Sequence, residues 1–305
     1  MSRLQIHDVG LRDGLQMETT QVPFNTKIRW IRTLIDSGVD IIQAGSFVHP
    51  KLVPQMVDSD RIFQEILPEK PRDVVLSGLV LNEKGLERGM ACGVELFCMG
   101  VSASETHSLK NTRMTTEQAL AQILSMARMA EEEGRSVQVS VQSAFGCGYE
   151  GPIETQKVLA IVNAYLNAGF RNISLADTAG HADPGRVTEL FDSVRELDPR
   201  VETACHFHNT YGLGIANSLA AREAGVTCFE ASFAGLGGCP FTAVAGGNVC
   251  TEDLVHLFQR MGLRTDIRLD PLIHLAGEVS EFFGRELPGN VYKTGPIPSD
   301  PQTEP

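Results

Sequence analysis

Eight short β-rich runs alternate with helix-length segments along this chain, and that alternation leaves few folds open. The runs are Leu4–Val9, Asp40–Gly45, Val74–Leu79, Val94–Met99, Val137–Gln142, Asn172–Leu175, Val201–Phe207 and Thr227–Ser232. Among the segments between them, Thr26–Asp36, Thr116–Glu133, Glu154–Ala168, Pro184–Leu197 and Gly214–Ala224 place apolar residues at helical spacing. Gly38, Gly93, Gly169 and Gly225 each fall just before the next run, where a helix C-terminus favours a left-handed cap. Strands joined by helices run parallel, because the helical crossover carries the chain back to the starting end of the sheet. Eight such units predict an α/β fold, a (β/α)8 TIM barrel, over residues 1–270. An open doubly wound sheet is the alternative, but the first helix lacks the G-x-G-x-x-G opening of the dinucleotide-binding version. Residues 271–305 are expected to add a helix, Leu272–Phe283, and an irregular Gly/Pro-rich tail packed on the barrel.

The formal net charge of −12 argues against a nucleic-acid partner, which needs a basic face to meet phosphates. No apolar run reaches the roughly 18 residues that a membrane span requires. The opening "MSRLQIHDVG" enters a strand pattern without an apolar leader. Seven cysteines, odd in number and without framework spacing, predict free thiols and a reducing, cytoplasmic location. Cys92, Cys98, Cys205 and Cys228 lie in or beside strands and read as core.

Barrel active sites collect at the C-terminal ends of the strands and in the loops that follow. Polar residues interrupt the chain at those places: Arg12, Asp13 and Gln16 after the first run, Gln43 and Ser46 at the second, Asp177 after the sixth, His206 and His208 at the seventh. His206 and His208 share a strand face, while Phe207 points the other way. If that face is the barrel interior, the two imidazoles suit a divalent ion, with Asp13 as the carboxylate. Otherwise they are ordinary histidines at a loop entrance. Arg12 next to Asp13 is either a local salt bridge or a cation able to stabilise an enolate on a bound carbonyl. The eighth run leads into "AGLGGCPFTAVAGGN", where Cys239 is either a buried thiol or a proton donor carried by a moving loop.

Taken in order, "DVGLRDGLQME", "SFVHPKLVPQMVDSD", "ASETHSLKN", "GCGYEG", "ADTAG", "HFHNTYGLGIANSLAA" and "GLGGCPFTAVAGGNVCTEDLV" resemble the 3-hydroxy-3-methylglutaryl-CoA lyase family over roughly residues 4–285. The resemblance implies a retro-Claisen lyase that splits a 3-hydroxyacyl-CoA bearing a tertiary alcohol into acetyl-CoA and a keto acid. It implies a divalent metal, Mg2+ or Mn2+ ahead of Zn2+ or Co2+, held by Asp13, His206, His208 and Asn248. Arg12 matches the arginine that stabilises the departing enolate, Cys239 the cysteine of the mobile loop, and Asp177 an acid that contacts substrate near the metal. His206 is thereby placed in the catalytic group as well as among the ligands, and Gln16, Gln43 and Ser46 are expected to contact substrate. Gln43 stands where the lyases carry a glutamate, and Asn209 where they carry an aspartate. A condensing synthase or aldolase acting on a 2-oxo acid, and a non-catalytic paralogue that binds metal or CoA, are the alternatives. The expected partner is a small acyl-CoA, with Lys51, Lys110 and Arg113 in post-strand loops as candidates to meet CoA. The expected assembly is a homodimer.

Overall fold

All eight expected strands form, and they pair in parallel around a closed barrel in which β8 returns to β1. The structure, a computed structural model, describes residues 3–49, 53–238 and 246–297. In chain order the first half runs β1 (Gln5–Asp8), α1 (Phe24–Ser37), β2 (Ile41–Ser46), α2 (Ser59–Ile66), β3 (Val75–Leu79), α3 (Glu83–Cys92), β4 (Leu96–Ser102), α4 (Glu105–Thr112) and α5 (Thr116–Glu132). The second half runs β5 (Ser136–Gln142), α6 (Thr155–Asn167), β6 (Asn172–Asp177), α7 (Pro184–Leu197), β7 (Glu202–Phe207), α8 (Gly214–Glu223), β8 (Cys228–Ala231), α9 (Thr251–Arg260), α10 (Leu269–Phe283) and α11 (Val291–Thr294).

β4 and β6 run two or more residues past their expected C-terminal ends. β4 continues through Gly100 to Ser102, each residue paired with β5. Gly100 is a packing requirement here, since a Cβ would lie 1.9 Å from Ser140 Oγ. β6 continues to Asp177, with Ala176 opposite His206 and Asp177 opposite Phe207. Asp177 therefore ends a strand instead of opening a loop.

The main core lies between the sheet and the helices and includes Ile6, Trp30, Phe97, Phe191, Phe207 and Phe229. A smaller apolar cluster of Ile41, Leu96, Cys98, Ala204 and Cys228 belongs to the inward-facing strand positions. Above it the lumen turns polar, with Gln43, Gln138, Ser140, Ser174, His206 and Glu230 lining one cavity. Barrel interiors are ordinarily filled by branched apolar residues, so this polar layer marks the end at which chemistry is to be sought.

α10 packs on α1: Trp30 Nε1 donates to Glu278 Oε1 at 2.9 Å, and the Trp30 and Phe282 rings meet edge to face. The helix starts at Leu269, ahead of the expected Leu272, because Pro271 sits in the first turn, where its missing N–H costs no bond. The tail is not wholly irregular either. Asp253 of α9 accepts the backbone N–H groups of Asn290 and Val291 and so anchors the start of α11. The described cysteines are all free; Cys92 is half-buried, and the others are buried. No described helix is long and apolar enough to cross a membrane.

Candidate active site

A local departure from regular structure follows β1. Gly10–Gly14 forms one turn of π-helix, in which Arg12, Asp13 and Gly14 all direct their N–H groups at the Val9 carbonyl. Such turns recur at functional sites, and this one sets Arg12 and Asp13 side by side at the mouth of the barrel. Arg12 Nη1 donates to Asp13 Oδ1 at 2.6 Å, its Nε donates to Gln43 Oε1 on β2, and Gln16 Nε2 donates to Asp13 Oδ1 at 3.0 Å. Burial alone would raise the Asp13 pKa. The Arg12 guanidinium and the two nearby imidazoles outweigh it and hold the carboxyl well below the usual range.

His206 and His208 do share the inner face. Their Nε2 atoms lie 3.2 Å apart, and Asp13 Oδ2 lies 3.9 Å from His206 Nε2 and 3.5 Å from His208 Nε2. Asp13, His206 and His208 are the group whose donor atoms all fall within 4.8 Å of one another among the described residues. Metal–ligand bonds of about 2.1 Å place neighbouring donors roughly 3–3.5 Å apart. The His206–His208 and His208–Asp13 separations fall in that range, and the His206–Asp13 separation slightly exceeds it. A small side-chain shift onto a shared divalent cation would close that gap; all three residues are buried.

Asn248 stands beside this cluster. Its Nδ2 donates to Asp13 Oδ2 at 2.8 Å and to the Leu236 carbonyl at 2.9 Å, while its buried Oδ1 has no partner among the described residues. Turning the carboxamide over would exchange the two atoms and set the oxygen beside Asp13, where it could serve a metal ion held by the cluster. Gly237, at φ +119°, is required beside it, because a Cβ there would stand 2.4 Å from Asn248 Nδ2.

A cavity of about 340 Å³ opens at this cluster and descends into the lumen. Arg12, Asp13, Gln16, Gln43, His206 and His208 all line it, together with Gln142 and Thr178. Ser46 and Asp177 do not. Ser46 is buried against α2, its backbone bonded to the Ser59 hydroxyl. Asp177 accepts the N–H groups of His181 and Ala182 at 2.8 and 3.1 Å and so caps the turn after β6. Burial raises its pKa despite those bonds and the nearby histidines.

Cys239 and Lys51 lie outside the described residues. Lys110 stands over the Tyr149 ring, 4.0 Å from its centre, and Arg113 closes α4 in a left-handed conformation. Asn209 ties the loop after β7 to α8 by accepting the Gly214 N–H at 2.9 Å. One site residue escapes the sequence reading. Glu230, in the middle of β8, contacts His206 Nδ1 at 2.9 Å. Burial works against its ionisation, but the bond to His206 and the charges of His206 and His7 bring its pKa down to about 2.

The chain is similar to known proteins along nearly its whole length. The family model described as HMGL-like matches residues 3–279. The hydroxymethylglutaryl-CoA lyase YngG of Bacillus subtilis is 34% identical over 286 residues, covering 94% of this chain and 95% of its own. The (R)-citramalyl-CoA lyase of Chloroflexus aurantiacus is 35% identical over 306 residues, covering 97% of this chain and 96% of its own. An HMG-CoA lyase of Acinetobacter baumannii, solved in complex with coenzyme A and 3-methylmalate, superposes with a TM-score of 0.91 at 39% identity, covering 98% of each chain.

Proposed function

Because the chain belongs to the HMGL-like family, we propose that it is a divalent-metal-dependent lyase acting on a 3-hydroxy-3-methylglutaryl-CoA-like thioester. Retro-Claisen cleavage would yield acetyl-CoA and a keto acid, acetoacetate when the substrate is 3-hydroxy-3-methylglutaryl-CoA itself. The observation that carries the reading is the meeting of Asp13, His206 and His208 beside Arg12 at a cavity, in a chain similar to such lyases along its length.

Asp13, His206 and His208, joined by Asn248 once its carboxamide is turned, would hold the ion. A set of two imidazoles, a carboxylate and an amide tolerates several divalent ions, and Mg2+ or Mn2+ is proposed from the family resemblance. When bound, the ion supplies Lewis-acid polarisation of the substrate's hydroxyl and acyl oxygens. Arg12 is held at Nε by Gln43 and at Nη1 by Asp13, so its remaining N–H groups are aimed without further ordering. In that position the guanidinium stabilises the enolate left when the carbon–carbon bond breaks. Cys239 is proposed to protonate the enolate carbon from the glycine-rich loop. Asp177 is proposed to contact substrate from the end of β6, giving up one of its two backbone bonds to do so. Free thiols support a reducing cytoplasm, and a homodimer is the proposed assembly.

Similarity to the citramalyl-CoA lyase widens the substrate class to be tried. Purified protein with Mn2+ is to be offered 3-hydroxy-3-methylglutaryl-CoA, (R)-citramalyl-CoA and other branched 3-hydroxyacyl-CoAs, with Gln43→Glu run alongside. Release of acetyl-CoA from at least one of them is expected. No cleavage in the whole panel, with condensation of acetyl-CoA and a keto acid in its place, would overturn the reading in favour of a synthase.

A further inference from the structure

His206 and His208 offer the same atom to the site, but the backs of their rings differ. His206 Nδ1 lies 2.9 Å from Glu230 Oε2, and the other oxygen of Glu230 accepts the Ser174 hydroxyl at 2.8 Å. His208 Nδ1 is buried with no hydrogen-bond partner among the described residues. The pairing of β7 with β8 sets Glu230 directly opposite His206. A carboxylate inside a barrel is tolerated only when its oxygens are engaged, and here each oxygen has a partner. An ionised carboxylate can only accept hydrogen bonds. The contact therefore puts the proton on Nδ1 and leaves the Nε2 lone pair directed at His208 and Asp13.

We propose that Glu230 is a positioning residue for metal binding: with Ser174 behind it, it locks His206 in the tautomer and orientation that present Nε2 to a divalent cation. This rests on the reading of Asp13, His206 and His208 as the metal site. A carboxylate behind a ligating imidazole also makes that ring a more basic donor. His206 is thus the better ordered of the two imidazole ligands. Glu230 has both oxygens committed, so it serves the ligand and leaves the substrate's protons to other groups.

The test uses the full chain stripped by a chelator, with Mn2+ as the probe. Calorimetry reads affinity, and long-range 1H–15N correlation of labelled histidine reads the His206 tautomer before metal is added. Glu230→Gln is expected to weaken Mn2+ binding about 10- to 100-fold. Its amide can donate to Nδ1 and drive the ring proton onto the ligating Nε2. Glu230→Asp should recover part of the loss, and Ser174→Ala, which removes no charge, should weaken binding less than Glu230→Gln. Wild-type affinity and an unchanged tautomer in Glu230→Gln would overturn the proposal. So would wild-type affinity in Ser174→Ala together with no recovery in Glu230→Asp. His206→Ala separates the two layers of the argument. Its loss of Mn2+ without any loss in Glu230→Gln removes only the role of Glu230, whereas wild-type affinity in His206→Ala removes the metal reading as well.

Discussion

Removing the carboxylate of Asp40 should loosen the end of the barrel opposite the cavity. Arg264 Nη1 and Nη2 reach Asp40 at 2.6 and 3.3 Å, and both side chains are buried. The same carboxylate accepts the Ile6 N–H at 2.8 Å, so one residue ties β1, the start of β2 and the connection after α9. Asp40→Ala leaves the guanidinium with Asp266, which is 50% exposed, and with the Leu4 and Gly38 carbonyls. Breaking a buried pair from one side costs about 3–5 kcal/mol, and an orphaned N–H costs about 1–3 kcal/mol more. The surviving bonds to Asp266 pull the total toward the low end, about 4 kcal/mol. An unfolding entropy of about 2.1 cal/mol/K per residue turns that into a fall in Tm of roughly 6 °C for a chain of this length. Asp40→Asn keeps an acceptor for Ile6 without the charge and should lose about half as much. Adding Arg264→Leu to Asp40→Ala should restore part of the loss, since no unpaired charge then remains buried. Calorimetric scans at one fixed rate measure all four proteins. The catalytic constants of the folded variants should match wild type, because the chemistry lies at the other end of the barrel. An unchanged Tm in Asp40→Ala, or a double variant less stable than Asp40→Ala alone, would refute the reasoning.

His7 is fully buried, and burial, against the pull of Glu230, brings its pKa down from 6.5 to about 4. Below pH 6.5 the unfolded chain takes up a proton that the folded chain refuses until about pH 4, so stability falls as pH drops across that window. At 1.36 kcal/mol per pKa unit the loss reaches about 3 kcal/mol. His7→Gln should flatten it, which urea midpoints at the two ends of the window will show; an unchanged slope would count against the assignment. Arg12→Lys keeps the charge but cannot hold Asp13 and Gln43 together. Its kcat should fall about 10²- to 10³-fold with a smaller change in KM, and steady-state kinetics giving an unaltered kcat would remove Arg12 from enolate stabilisation. Cys239→Ser should slow turnover while Mn2+ affinity, read by calorimetry, stays near wild type. Loss of Mn2+ as severe as in Asp13→Ala would instead put Cys239 at the metal.

The barrel is legible in the sequence because parallel strands need helical crossovers, and that alternation survives in any (β/α)8 chain. The shared face of His206 and His208 follows from strand parity alone, and the pairing of Arg12 with Gln43 is consistent with β1 and β2 being neighbours. The π-turn at Gly10–Gly14 is harder to see. "GLRDG" reads as a generic glycine turn, and only the three N–H groups gathered on Val9 define its shape. Glu230 offers a signal, an acid on the same strand face as Cys228, but its meaning depends on partners from β6 and β7 that one sequence cannot align. Asp177 falls inside β6 and not in the loop after it because the end of that strand is fixed by pairing with β7, which propensity does not report. Asn248 has no local pattern at all. Its place beside Asp13 comes from a contact spanning most of the chain, and in the sequence it is reached only through family resemblance.

Acetyl-CoA release from 3-hydroxy-3-methylglutaryl-CoA, followed while Mn2+ is titrated into chelator-stripped protein, bears most directly on whether Asp13 and the two histidines make a metal-dependent lyase. Release should be absent without metal, rise to a plateau near one ion per chain, and stay absent at every Mn2+ concentration in Asp13→Ala. Release that survives complete chelation, or that persists in Asp13→Ala with wild-type dependence on Mn2+, would contradict it.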